Sequence, residues 1–159
     1  MLQRLRLGAA ATTAAWLLVT GMAEAALDRQ AVIDHIVAAT ARVSVEKGGR
    51  VVNSGSGVVI AAGRDARGLE ASYLLTAAHA LEGAESGEVI VRFTGERAAQ
   101  RFPARVVKRG RADQLDVALL EVPGVLAPAV RMAGDVQPRL GEEIFVVGFP
   151  WGKRLGLYS

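Results

Sequence analysis

Alternation of apolar and polar residues, broken at short intervals by glycine, limits this chain more than any other feature. Val43 and Val45 alternate with polar neighbours, Val58 to Ala62 form a short apolar run, Val89, Val91 and Phe93 alternate with Ile90 and Arg92, and Phe102, Ala104 and Val106 alternate with Arg101 and Arg105. A period of two is the signature of a strand with one buried face. Gly48-Gly49, Gly63, Gly68, Gly83, Gly87, Gly95 and Gly110 punctuate these runs as turns. Short strands between Gly-bearing loops predict an antiparallel all-β barrel or sandwich, and no βαβ rhythm competes. Helical spacing occurs in residues 27–40, where Val32, Ile33, Ile36 and Val37 predict a short amphipathic helix. There is no internal repeat, low-complexity tract or coiled-coil heptad.

The first 25 residues have the pattern of an export signal. Arg4 and Arg6 precede an apolar stretch from Leu7 to Thr20, and Ala23-Glu24-Ala25 supplies the small residues a signal peptidase requires. The stretch is shorter than the ~20 residues that span a bilayer, so the expectation is cleavage after Ala25, or after Ala26 as a near variant, and a periplasmic or secreted protein not held in the membrane. Without Arg4, Arg6 and Glu24 the chain carries 17 basic and 15 acidic residues. That excess is too small to imply a nucleic-acid partner. An exported domain without cysteine must hold its core without disulfides, and two histidines with no cysteine argue against a zinc site. No Walker-type loop or dinucleotide fingerprint is present, so no cofactor is expected.

Three segments carry chemistry. Gly55-Ser56-Gly57 leads into Val58-Val59-Ile60; Tyr73-Leu74-Leu75-Thr76-Ala77-Ala78 runs into His79; Asp116 opens Asp116-Val117-Ala118-Leu119-Leu120. Alone, a histidine after an apolar strand is more often structural than catalytic, and an aspartate before a strand is more often a turn residue. In this order the three segments resemble a bacterial trypsin-like serine endopeptidase, in the style of the high-temperature-requirement (Do-like) group. Animal relatives commonly place a cysteine after the histidine, where Ala80 stands here. The resemblance implies a double β-barrel acting on polypeptide substrates, with His79 as general base and Asp116 as the carboxylate that fixes its tautomer. It also implies that Ser56 is structural.

The bland reading suffices elsewhere. Asp113, in Arg-Gly-Arg-Ala-Asp-Gln, is expected to be solvated, His35 to be exposed, and the basic cluster Arg105, Lys108, Arg109 and Arg111 to form a solvated loop rather than a phosphate site. The resulting division is a signal peptide at 1–25, a helical segment at 26–41, a first barrel at 42–122, a connection at 123–142 and the start of a second barrel at 143–159. None of Ser44, Ser54, Ser56, Ser72, Ser86 and Ser159 lies in the Gly-x-Ser-Gly-Gly setting of a trypsin-like nucleophile. The expectation is therefore an N-terminal portion that is inactive alone and prone to self-association through the uncovered strands of 143–159. The alternative is a non-catalytic exported module that binds a peptide or protein.

Overall fold

The computed structural model describes residues 29–64, 67–150 and 156–158; the expected leader lies outside them. The chain divides into two compact units, Met1–Asp34 and His35–Ser159. In the described part of the first unit, Gln30 donates a 2.8 Å hydrogen bond to Asp34 one helical turn on. Helix α1 covers residues 29–38. All of the strands belong to the second unit.

Strand β1 (Thr40–Lys47) turns into β2 (Arg50–Arg64) through Gly48-Gly49, with φ of 56° and 75°. A two-residue hairpin whose twist matches its strands needs positive φ at both positions, which only glycine adopts freely. Strand β3 (Glu70–Thr76) completes a meander, and β4 (Glu88–Phe93) crosses back to pair with β1. That placement of a fourth strand beside the first is a Greek key. Strands β5 (Phe102–Pro103), β6 (Arg105–Arg109) and β7 (Ala118–Pro123) complete a seven-stranded antiparallel sheet in the order β5-β4-β1-β2-β3-β7-β6. Two register shifts in β2, beside Val45/Glu46 and at Val59/Ala61, insert the extra residues Val52 and Ile60. Bulges bend and twist a strand. The sheet curls until β5 packs back against β7.

The concave face is the core. Val43, Val59, Leu74, Val91, Leu120 and Val122 are fully buried there, and Phe93 meets Phe102 edge-on at 5.3 Å. Burying each such side chain is worth about 1.5–3 kcal/mol. Ser72 closes one end: its hydroxyl donates to Val125 O at 2.8 Å and accepts the Ala127 N–H at 3.0 Å, pinning the chain beyond β7 over the core. Strands β8 (Val146–Gly148) and β9 (Gly156–Tyr158) form a separate two-stranded ribbon. Ser56 Oγ accepts the Phe149 N–H at 2.7 Å, fixing the end of β8 against β2.

Two local expectations are corrected. Gly63 lies within β2 rather than in a turn. Lys108 and Arg109, expected in a solvated loop, lie on the edge strand β6 with Arg105, so the strand expected as far as Val106 continues to Arg109, where Val-Val-Lys-Arg no longer alternates.

Candidate active site

Strands β3 and β7 are antiparallel neighbours with Thr76 opposite Ala118. The residues leaving β3 and those entering β7 therefore meet at one end of the sheet, and His79 and Asp116 are three and two residues from that pair. His79 Nδ1 lies 2.5 Å from Asp116 Oδ2, and the His79 backbone N–H donates to Asp116 Oδ1 at 2.9 Å. An ionised carboxylate only accepts, so the proton between them sits on Nδ1, and in the neutral ring that tautomer leaves the lone pair on Nε2. The His79 side chain is 60% exposed and that of Asp116 37%. The backbone N–H of His79, and then its ring, hold the Asp116 carboxyl below the ordinary aspartate range.

Each side chain is set by its local backbone. His79 sits in a 3-10 turn, Ala78–Leu81, in which Ala78, Ala80 and Leu81 are buried and the histidine faces out. The turn packs tightly on β2: a Cβ on Gly55 would lie 2.7 Å from that of Ala80. A Cβ on Gly57 would lie 2.9 Å from Val43, which explains the second glycine of Gly-Ser-Gly. Asp116 sits at the end of a closed loop. Gly110 N–H donates to Val117 O and Val117 N–H to Leu115 O, both at 2.8 Å. A side chain at Gly110 would collide with the Leu115 carbonyl.

Sequence reasoning missed Asn53. Its Nδ2 donates to the His79 carbonyl at 2.8 Å, while its Oδ1 accepts the Ser54 N–H. The available signal was an asparagine inside a strand-like segment, where that residue is depleted. The bulge at Val52 places it next to the histidine turn.

The remaining candidates have other partners. Asp113 pairs with Arg111 at 2.8 Å. His35, expected to be merely exposed, also contacts Ala129 O at 3.1 Å. Arg105 pairs with Glu121 at 2.6 Å and Arg109 with Glu85 at 2.8 Å. Among the described residues no group of three or more histidine and carboxylate side chains is placed to hold a metal ion, and no helix is long and apolar enough to cross a membrane.

The family model for the trypsin-like peptidase domain matches residues 55–157, well over half of the chain. The chain belongs to that family. Its match spans Gly55, His79 and Asp116. No curated protein matches the sequence. Among solved structures, the serine endoprotease from Yersinia pestis superposes with a TM-score of 0.61 and 19% identity, over 79% of this chain and 40% of that one. Deg5 superposes with a TM-score of 0.60 and 16% identity, over 81% of this chain and 59% of the other. The chain thus spans less than two thirds of either structure. At these identities the likeness is one of fold: the all-β class expected from the strand pattern and the trypsin-like architecture implied by the resemblance are the ones observed.

Proposed function

We propose that this trypsin-like peptidase domain contributes the base and the orienting carboxylate of a serine endopeptidase of the Do-like kind, in an exported protein. One observation carries the reading: the His79–Asp116 pair, with Nδ1 bound to the carboxylate and Nε2 without a partner among the described residues. Nε2 would take the proton of a serine hydroxyl as that oxygen attacks the scissile carbonyl, and would then return it to the leaving amine. Asp116 stays ionised throughout and stabilises the imidazolium. The substrate would be a polypeptide.

No serine of this sequence stands in Gly-x-Ser-Gly-Gly. The 159 residues alone should therefore neither hydrolyse peptides nor react with a fluorophosphonate. In a longer form carrying such a segment, labelling should appear, and His79→Ala or Asp116→Asn should lower kcat by about 10⁴-fold. Full activity of His79→Ala would remove the base assignment. The second reading is a non-catalytic exported module that binds a peptide or a protein. Under that reading the longer form stays unlabelled and inactive. Export rests on the pattern at 1–25 and predicts a mature chain beginning at Ala26 or Leu27; an intact mass that retains Met1 would exclude it.

A further inference from the structure

Two chain segments bring His79 and Asp116 to the rim, and a second contact joins those segments. After His79 the backbone runs through successive tight turns: the Glu82 N–H donates to His79 O, the Ala84 N–H to Leu81 O and the Ser86 N–H to Gly83 O. These turns are seated on the sheet. A Cβ on Gly87 would lie 2.9 Å from the Glu46 carbonyl and one on Gly83 3.5 Å from Val52, and Lys47 Nζ donates to Ser86 Oγ at 3.3 Å. Glu85 therefore stands on backbone that is held from several sides.

Asp116 belongs to the other segment. The loop 110–117 is bonded to itself: the Gln114 and Leu115 N–H groups donate to Arg111 O, Arg111 pairs with Asp113, and Gly110 closes the neck on Val117. Among the described residues, Asp116 alone of residues 111–116 hydrogen-bonds to the histidine segment. Arg109, the last residue of β6 and the register partner of Ala118, stands at the neck of the loop. Its Nη1 donates to Glu85 Oε1 at 2.8 Å. Beyond the β3–β7 ladder, the two segments are thus joined twice, once through His79 and Asp116 and once through this contact.

An exposed ion pair ordinarily gains little, because two long side chains must be ordered to form it. Here that cost is reduced. The Arg109 side chain is only 30% exposed, and the Glu85 carboxylate accepts its own backbone N–H, which together with Arg109 holds it below the ordinary glutamate range.

We propose that Arg109 and Glu85 are positioning residues: their ion pair holds the neck of the Asp116 loop against the turns after His79 and so keeps the carboxylate on Nδ1. A loosened loop would let the ring proton pass to Nε2, where it occupies the lone pair that a base uses. The inference rests on the reading of His79 as the base for its consequence in catalysis, while the geometry is present in the 159-residue chain and is read there directly.

The test is ring nitrogen-15 NMR of the 159-residue chain at about pH 9, where an imidazole is neutral and its two nitrogen shifts give the tautomer ratio. In Arg109→Gln and in Glu85→Gln the ratio of the Nδ1–H to the Nε2–H form at His79 should fall by about threefold, the effect of losing an ordinary surface pair. The double variant should fall no further than either single one, because each removes the same contact. Exchanging the partners, Arg109→Glu with Glu85→Arg, should recover most of the ratio. The His35 ring, whose contact is with Ala129, should not change. Opposite shifts in the two single variants overturn the proposal, because a field effect alone changes sign between loss of a positive and loss of a negative charge. So does an unchanged ratio in either single variant, an additive loss in the double one, or failure of the exchanged pair to recover it. Fluorophosphonate labelling of a longer form tests the catalytic reading separately and does not enter these ratios.

Discussion

Asp116 and Glu46 are both held below the ordinary carboxylate range, by opposite arrangements. Asp116 stands at the rim of the sheet, partly in water, and its shift comes from the His79 backbone and ring. Glu46 is 5% exposed, and burial pushes its carboxyl up, but hydrogen bonds from Arg92 and Arg101 outweigh that and leave it lowered. Water screens the first pair, so its value lies in orientation: it sets a tautomer and holds a ring. The second is withdrawn from water, so its charges must be matched or the fold loses stability. A similar pKa direction thus reports positioning in one region and structural dependence in the other.

The comparison is broken most directly by neutralising each acid in turn. Glu46→Gln leaves Arg92 without its counterion and Arg101 with only Glu88, 3.9 Å away, and should cost about 3 kcal/mol, toward the low end for a broken buried pair because both arginines keep part of their side chains in water. Asp116→Asn should lower the denaturation midpoint by much less, since water screens that pair. Urea unfolding of the two variants reads both outcomes. A larger loss for Asp116→Asn than for Glu46→Gln would reverse the assignment of roles.

Acid unfolding sharpens the same contrast with a smaller effect. Both carboxyls are lowered in the folded state, so each contributes stability above its unfolded value of about 4 and loses it as pH falls through the lowered value. The buried pair should dominate that limb. Stability of the wild type should therefore decline below about pH 4, and Glu46→Gln should flatten the decline more than Asp116→Asn does. Equal slopes for wild type and Glu46→Gln, measured by thermal unfolding at stepped pH, would show that Glu46 does not control this window.

How much of the molecule was legible depends on whether the cause was local. The strands β1 and β4 followed from alternation, whereas the pairing of His79 and Asp116 followed only from the resemblance carried by the order of the three segments, since each residue alone reads as structural. The Glu46 network did not, because a charge within a strand is ordinarily read as facing solvent, and only the pairing of β1 with β4 and the approach of Arg101 enclose it. The second half of edge strand β6, beyond Val106, was hidden for a related reason. Its residues are all exposed, so no buried face imposes a period, and its partners Glu121 and Glu85 come from other parts of the chain. Asn53 was hidden because a bulge, which has no fixed composition, decides what it faces.

The smallest expected effect belongs to Asn53, and it asks whether the rim is positioned from outside the pair. Its Nδ2 bonds the His79 carbonyl, but that oxygen also accepts the Glu82 N–H at 3.1 Å and stays satisfied without it. Asn53→Ala should thus cost only about 1 kcal/mol of stability, the net worth of an ordinary hydrogen bond. If the bond also sets the height of the imidazole, a longer form carrying Gly-x-Ser-Gly-Gly should lose about tenfold in kcat with KM unchanged, since about 1.4 kcal/mol of misplacement in the transition state has that effect. A purely structural role moves the unfolding midpoint and leaves kcat alone. Unaltered kcat beside a lowered midpoint would remove Asn53 from the positioning of the rim.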